Sequence, residues 1–198
     1  MTHISENIIA YYRRYGTHDY IGECGVSQIQ HAAQAFLLAL DCTYVDDHTK
    51  KCVAVAAFLH DLGHLIGIPN KLETMNDSDG SSLGISHHEK VASDYLRNIG
   101  LPELVCELVL SHVDAKRYLC SVNNDRVLSD ASRKTLEKQG GIMSEEERHI
   151  FEKSFNFNLK LLIRNCDDMA KKNNYPLEKD INEILEIVKL YIEEIIIQ

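Results

Sequence analysis

The sequence is short of basic residues. Lysine and arginine together number 21 against 30 aspartates and glutamates, so the 198-residue chain carries a formal net charge of −9. Nucleic acids and anionic membranes are bound by basic faces, and this balance therefore argues against both as partners. A small anionic ligand remains compatible with it, because a few buried cations can dominate the potential of a single pocket.

Long apolar runs and close cysteine pairs are also absent. The most apolar stretches, 53–59 and 187–197, are short or interrupted by charges, and neither predicts a membrane span. The first ten residues lack the basic and then apolar segments of a secretory signal. No two cysteines form a C-x-x-C pair, so the six are expected to be reduced packing residues of a cytoplasmic protein.

No internal repeat or composition break divides the chain, and its length suits a single domain over residues 1–198. Apolar residues recur mostly at helical spacing, which predicts an all-α protein. Capping boxes are expected at Ser27 with Gln30 and at Ser144 with Glu147. Helices are predicted over residues 4–15, 27–40, 50–60, 88–99, 102–111, 129–139, 145–153, 155–172 and 180–197.

Three segments carry further predictions. Gly63, Gly67 and Pro69 are expected to break the chain, and residues 70–86 to form a long polar loop, either a functional lid or a mobile surface loop. The last helix, 180–197, has an apolar stripe that predicts either a core face or a dimer face, with the core favoured. A monomer or a weak homodimer is therefore expected.

An adjacent histidine and aspartate, His60 and Asp61, end the apolar helix predicted over 50–60. Burying an ionised aspartate is unfavourable unless the carboxylate is paired or bound to metal. A divalent cation removes that cost and keeps neighbouring imidazoles neutral and able to ligate. Because Asp61 has two oxygens, it can bridge two metal ions.

Other histidines and an aspartate complete this metal prediction. The predicted ligands are His31, His60 and Asp167 on one metal, Asp61 between the two, and His88 and His112 on the other. His87 adjoins His88, and only one of two neighbours on a helix can point into a site, so His88 is preferred. Any one histidine alone would more often be hydrogen-bonded or exposed. The ligand types also suit manganese, nickel or zinc.

The order of these residues resembles the HD-domain superfamily of metal-dependent phosphohydrolases and oxygenases. The resemblance covers about residues 28–171, and although a His-Asp pair is a weak motif, the full ordered set is specific. It implies an all-α, HD-domain helical bundle with a dinuclear metal centre in its core, followed by a C-terminal helix over 180–197.

Three further segments, residues 20–23, 112–118 and 164–171, resemble a phosphonate-degrading branch of the HD oxygenases that is related to myo-inositol oxygenase. Members of that branch cleave the carbon–phosphorus bond of 2-amino-1-hydroxyethylphosphonate or of its N-methylated relatives. The resemblance implies two iron ions as a mixed-valent Fe(II)/Fe(III) pair and O2 as co-substrate. It also implies a small organophosphonate as substrate, with phosphate and an amino acid as products.

Three side chains could hold the phosphonate dianion. His64 and Lys116 each lie one helical turn after a predicted ligand, and Arg164 lies one turn before another, so all three share a face with the ligands. Lys116 would act as a point charge, Arg164 as a bidentate fork and His64 as a donor. For Lys116 and Arg164, surface salt bridges are the alternative interpretation.

The resemblance also implies roles for residues outside these faces. Tyr20 would occupy an open iron position until the substrate displaces it, and Glu23 would meet the ammonium group of the substrate. An ordinary loop tyrosine and a solvated glutamate are the alternative. Ser129 or Ser132 is placed near the phosphonate, or else caps a helix.

Two other functions compete with the oxygenase. The first is a dinuclear HD phosphohydrolase acting on a nucleotide or another small phosphoester, in which Lys116 and Arg164 would hold the phosphate. The second is a non-catalytic HD module that binds a signalling ligand, which is disfavoured because the ligand set is complete.

Overall fold

The computed structural model describes residues 2–20, 25–44, 46–123, 128–173 and 180–197. Within these ranges ten helices and one antiparallel hairpin confirm the predicted all-α class, with the hairpin as a small exception. The elements are α1 Thr2–Tyr15, α2 Gln28–Leu40, α3 Asp47–Leu59, α4 Leu62–Asn70, β1 Thr74–Asn76, β2 Ser82–Ile85, α5 His88–Asn98, α6 Glu103–Val122, α7 Asp130–Lys138, α8 Glu145–Glu152, α9 Phe157–Met169 and α10 Ile181–Ile197.

Helix α3 forms the centre of the core. Every residue from Cys52 to Leu59 is fully buried, and α2, α6, α9 and α10 all pack against it. A helix that is apolar on all sides is expected to be surrounded in this way. The hydroxyl of Tyr12 in α1 donates to the carbonyl of Phe58 at 2.7 Å, which ties the first helix to the central one.

The apolar stripe of α10 belongs to this core. Five of its residues are buried against the bundle, namely Ile184, Leu185, Val188, Ile192 and Ile195. Both predicted capping boxes are present, at the starts of α2 and α8. No single helix of the described ranges has the length and apolar composition to cross a membrane, and α3 and α4 meet that test only as a pair bent by 43°.

The prediction that Gly63, Gly67 and Pro69 break the chain is wrong, because all three lie within α4. The glycines allow close packing: a Cβ at Gly63 would lie 2.0 Å from the carbonyl oxygen of His88, and one at Gly67 would lie 2.4 Å from Cγ1 of Ile85. Pro69 is tolerated because α4 ends one residue later, with Lys71 in the left-handed conformation as its cap.

Two other boundaries differ from the predictions. The segment 70–86 is not a structureless loop, since β1 and β2 pair with Thr74 opposite Ile85 and Asn76 opposite Ser82. Helix α6 continues to Val122, well past the predicted end at 111. The longer helix carries Lys116 on the same rigid element as His112, one turn further along.

Candidate metal centre and adjoining cavity

The six predicted ligands meet at one place inside the bundle. They come from five separate parts of the chain: His31 from α2, His60 and Asp61 from the α3–α4 junction, His88 from the start of α5, His112 from the middle of α6, and Asp167 from α9. The four histidines and Asp167 are buried, and the side chain of Asp61 is 12% exposed. The bend between α3 and α4 aims His60 and Asp61 at the other helices.

One oxygen of Asp61 faces a first group of ligands. Its Oδ2 lies 3.2 Å from Nε2 of His60 and 3.7 Å from Nε2 of His31. Oδ1 of Asp167 lies 3.4 Å from Nε2 of His31 and 3.7 Å from Nε2 of His60. Two carboxylates and two imidazoles therefore surround one small volume.

The other oxygen of Asp61 faces a second group. Its Oδ1 lies 3.3 Å from Nε2 of His88 and 3.6 Å from Nε2 of His112. The Nε2 atoms of His88 and His112 are 3.1 Å apart. Asp61 is thus placed between two donor groups, as a bridging carboxylate would be.

Backbone carbonyls orient three of the four imidazoles. The Nδ1–H groups of His31, His60 and His112 donate to the carbonyl oxygens of Ala170, Ala57 and Val109, at 3.1, 2.8 and 2.7 Å. A carbonyl oxygen only accepts, so Nδ1 carries the hydrogen in each ring and Nε2 presents a lone pair. Ligating histidines are typically held by such contacts. Nδ1 of His88, by contrast, is buried without a hydrogen-bond partner among the described residues, and Oε2 of Glu89 lies 3.6 Å from it.

These lone pairs require a positive charge among them. Nε2 of His31 and Nε2 of His60 are only 3.1 Å apart, and Oδ1 of Asp167 is buried without a hydrogen-bond partner among the described residues. In the metal-free protein a proton meets the need: burial opposes the charged form of His60, yet Asp61 and Asp167 raise its pKa to about 10. Burial and the neighbouring imidazoles lower the pKa of His112 to about 3. The donor set fits divalent cations, which would replace that proton.

His64 differs in its tautomer from His31, His60 and His112, three of the predicted ligands. Its Nδ1 accepts the backbone N–H of Ile85 at 3.0 Å, so Nε2 carries the hydrogen of the neutral ring. Burial lowers the pKa of His64 well below its ordinary value, and the ring stays neutral, stacked on His88 at 3.9 Å between centroids. His64, Asp61 and His88 are close enough to form a metal-binding group, but the bond from Ile85 makes Nε2 a donor instead.

The neighbours His87 and His88 give a matched test of the second group. The side chain of His88 is 5% exposed and that of His87 is 82% exposed. We expect His88→Asn to reduce the bound metal from two ions per chain to one, and His87→Asn to retain both. Asparagine suits the left-handed backbone of His87, whose φ is 53°. Metal content after anaerobic loading measures this, and two ions in His88→Asn would contradict the assignment.

A cavity of about 50 Å³ lies against the ligands. Besides the predicted metal ligands Asp61, His88, His112 and Asp167, its walls include five other predicted site residues, namely Tyr20, His64, Lys116, Ser132 and Arg164. Its walls also include residues that the sequence analysis did not single out: Met75, Leu83, Thr135, Gln139 and Lys171. Thr135 in α7 and Gln139, the residue that caps the end of α7, follow Ser132 at helical spacing, and that polar stripe was a signal that could have found them.

Lys116 is buried at the cavity wall, which excludes the alternative of a surface salt bridge. Its ammonium group donates to Oγ1 of Thr135 at 2.6 Å and to Oε1 of Gln139 at 3.0 Å, so it joins α6 to α7. Burial, together with the nearby positive charge of Arg164, lowers the pKa of Lys116 to about 7. The charged form of Lys116 is therefore disfavoured in the folded protein, and an anion bound beside it would stabilise that charge.

Lys116→Met is expected to stabilise the metal-free protein near pH 6, by about 1–4 kcal/mol. The folded-state pKa of about 7 lies below the ordinary 10.5, so the penalty is complete below pH 7, where the folded protein must carry the buried charge. It shrinks as the pH rises and is lost above 10.5, where neither state is protonated. Urea unfolding near pH 6 and pH 9.5 measures the change, with exposed Lys138→Met as control. A less stable Lys116→Met protein near pH 6 would contradict it.

Arg164 is also buried rather than part of a surface salt bridge. Its Nη1 lies 2.7 Å from Oδ2 of Asp167, and its Nη2 is bonded to Asp168. Its buried Nε has no hydrogen-bond partner among the described residues. Arg164 therefore neutralises the carboxylate of a predicted ligand from the side opposite the imidazoles.

The two serines separate into different roles. Oγ of Ser129 accepts the backbone N–H of Ser132 at 3.3 Å, so Ser129 caps α7 and is not among the described residues that line the cavity. Ser132 is buried at the cavity, with its Oγ 3.3 Å from Nζ of Lys171. Of the two, Ser132 is the one positioned to meet a ligand.

Tyr20 stands in front of the first ligand group. Its ring stacks on that of His31 with centroids 3.9 Å apart, and it lines the cavity. Burial and the charge of Asp61 raise the pKa of Tyr20 well above its ordinary value, so the phenol keeps its proton. Glu23, predicted to meet a substrate amine, lies outside the described residues and stays a prediction.

Comparison with known families agrees with this geometry. A family model described as the HD domain matches residues 29–196. The chain belongs to the HD-domain family. The match includes all six predicted ligands, and together with the donor set it makes the protein a metal-dependent HD enzyme.

Three relatives extend the comparison. An uncharacterized protein of Acanthamoeba polyphaga mimivirus is 39% identical over 184 residues, which is 90% of this chain and 79% of the relative. The hydroxymethylphosphonate dioxygenase of Gimesia maris is 36% identical over 151 residues, 74% of this chain and 68% of the relative. The glycine-betaine-forming [1-hydroxy-2-(trimethylamino)ethyl]phosphonate dioxygenase of Leisingera caerulea is 30% identical over 171 residues, 85% and 81% of the two chains.

Proposed function

We propose that this HD-domain protein is an iron- and O2-dependent oxygenase that cleaves the carbon–phosphorus bond of a small 1-hydroxy-2-aminoalkylphosphonate. The products would be phosphate and an amino acid. The observation that carries the proposal is the cavity that joins a bridged pair of donor groups to three buried or half-buried cations, Lys116, Arg164 and Lys171. A neutral substrate would not need such cations.

The cofactor would be held by the residues already described. His31, His60 and Asp167 would bind one iron, His88 and His112 the other, with Asp61 between them. When bound, the two irons supply the redox chemistry that O2 activation needs. The dioxygenase names of two relatives favour iron over the other metals that these ligands suit.

The chain's own side chains would bind and orient the phosphonate. Lys116 contributes a charge whose burial is relieved by an anion, and Ser132 contributes a hydroxyl group from α7. His64 donates from Nε2, because Ile85 already occupies Nδ1. These donors fit phosphonate oxygens, which only accept hydrogen bonds when fully ionised.

Tyr20 would act as a gate in front of His31. Its ring stacks on His31 beside the first ligand group. A substrate or O2 molecule that binds at this side of His31 would have to displace it. Glu23 would then meet the substrate's ammonium group, an expectation motivated by the resemblance alone.

The two named relatives differ in the group that accompanies the phosphonate. One name carries a hydroxymethyl group without an amine, and the other a trimethylamino group. The experiment therefore offers hydroxymethylphosphonate, 2-amino-1-hydroxyethylphosphonate and its N-trimethyl form to the same preparation. Preference for the primary amine would support a 2-amino substrate, and preference for hydroxymethylphosphonate would show that the substrate carries no amine.

Oxygen consumption tests the reaction class directly. Iron is loaded without oxygen, O2 is then admitted, and uptake and phosphate release are followed together. We expect one phosphate per O2 consumed, because one oxygen atom completes the carboxylate at the carbinol carbon and the other converts the released phosphonate to phosphate as the carbon–phosphorus bond breaks. A mixed-valent electron paramagnetic resonance signal that changes on adding substrate is also expected.

The same experiment distinguishes the oxygenase from the alternative function, a dinuclear HD phosphohydrolase of small phosphoesters. That function is favoured by the ligand types, which suit manganese or zinc equally well, and by the cation-lined cavity. Phosphate release from phosphoesters without oxygen, combined with no O2 uptake on any of the three phosphonates, would establish it in place of the oxygenase.

A further inference from the structure

The backbone on both sides of Lys171 is fastened to α2. The Nδ1–H of His31 donates to the carbonyl of Ala170, directly before Lys171. The side-chain amide of Gln34, itself only 2% exposed, donates to the carbonyl of Lys172 at 3.1 Å and accepts the N–H of Lys172 at 3.2 Å. The helix that carries a predicted metal ligand therefore also fixes the position of Lys171.

The ammonium group of Lys171 lies between the gate and the cavity wall. Its Nζ is 5.7 Å from the ring centroid of Tyr20 and 3.3 Å from Oγ of Ser132. This Nζ–ring distance is within the range of a cation–π interaction. The side chain is 15% exposed and lines the cavity, so it is reachable from the space that a substrate would fill.

The three cations of the cavity differ in how fully their charges are compensated. Arg164 is bonded closely to Asp167 and Asp168. Lys116 donates to two neutral side chains and is as buried as Arg164. Lys171 is 3.8 Å from the nearer oxygen of Asp167 and 3.9 Å from that of Asp168, at the limit of an ion pair. Its charge is thus available to an incoming anion without breaking a short contact.

We propose that Lys171 is a substrate-recognition residue that links anion binding to the release of Tyr20. In the substrate-free protein its ammonium group stabilises the Tyr20 ring over His31. An anionic group near Ser132 attracts the same ammonium away from that ring, and Tyr20 becomes easier to displace. The inference rests on the proposed function only in taking a phosphonate as the anion.

Methylphosphonate tests this without turnover, because it lacks the carbinol group on which the proposed reaction acts. Its Kd is measured by calorimetry on the metal-loaded protein without oxygen. We expect Lys171→Met to raise the Kd about tenfold or more, and Lys171→Arg, which keeps the charge, to raise it less. Lys172→Met is the matched control: its side chain is exposed, and its affinity should stay within about twofold of the unaltered protein. Unchanged metal content in all variants shows that the centre is intact.

The position of Tyr20 is followed by fluorine NMR of protein labelled with 3-fluorotyrosine, with Tyr20→Phe assigning the resonance. Methylphosphonate should shift the Tyr20 signal in the unaltered protein, and Lys171→Met should shift it without ligand. If the unaltered protein consumes O2 on phosphonates but Lys171→Met keeps its affinity or its Tyr20 signal, the inference is overturned and the proposed function stands. If the unaltered protein neither binds methylphosphonate nor consumes O2, both are overturned.

Discussion

Asp61→Asn is expected to lower turnover about 10³-fold or more and to reduce bound metal to at most one ion per chain. The carboxylate has one oxygen near His60 and His31 and the other near His88 and His112. Asparagine keeps the shape but offers a single neutral oxygen, and its NH2 group turns two hydrogens towards one of these pairs. The negative charge that two adjacent cations require is lost with it.

Asp168→Asn provides the control for this substitution. Asp168 lies beside a predicted ligand in the sequence, but its carboxylate binds Arg164 rather than the imidazoles, so this variant should keep two metals. Metal content by plasma emission and O2 uptake with a phosphonate are measured on both proteins. Asp61→Asn protein that still holds two ions and turns over at a normal rate would rule out the bridging role.

The clustering of the predicted metal ligands could be anticipated because few residue types bind metal ions. A histidine next to an aspartate at the end of an apolar helix is hard to explain without a compensating cation, and the structure places both inside the bundle. The structure also supports the choice of His88 over His87 as the candidate ligand, because the side chain of His88 is buried whereas that of His87 is exposed. The residue types and order of the predicted ligands thus predicted a shared site, and the structure brings the side chains together.

The surroundings of the ligands were less predictable, because they depend on contacts between distant segments. His64 was expected to donate from its helical spacing alone, but the bond that sets its tautomer comes from Ile85 in a hairpin that the sequence analysis took for a loop. Gly63 and Gly67 looked like helix breakers, and only their neighbours across the packing interface explain them.

The position of Lys171 at the cavity was also not predictable from the local sequence. A lysine four residues after a predicted ligand is an ordinary helix-surface pattern, and nothing in the local sequence separates it from Lys172. The difference arises from Gln34, whose amide holds the Lys172 backbone so that Lys171 points to the cavity and Lys172 to solvent. A polar residue buried on an apolar helix was the one available sign of this arrangement.

Arg164→Met is expected to destabilise the metal-free protein by about 3–5 kcal/mol, the cost of leaving a buried carboxylate without its partner. Asp167 has Arg164 on one oxygen and the metal-site imidazoles on the other. With metal bound, a cation contacts the same carboxylate, so the loss should be smaller in the loaded protein than in the chelated one. Urea unfolding with and without a chelator measures both values.

Arg97→Met is the control that shows whether the loss of stability in Arg164→Met comes from the burial of the ion pair or from ion pairing as such. Arg97 also makes two hydrogen bonds to a carboxylate, that of Glu103, at 2.9 and 2.6 Å, but its side chain is 41% exposed. Because water screens that pair, its loss should cost no more than about 1 kcal/mol whether or not metal is present. Equal losses in the two variants, or an Arg164→Met loss independent of metal, would show that Asp167 does not share its charge between the guanidinium and the metal centre.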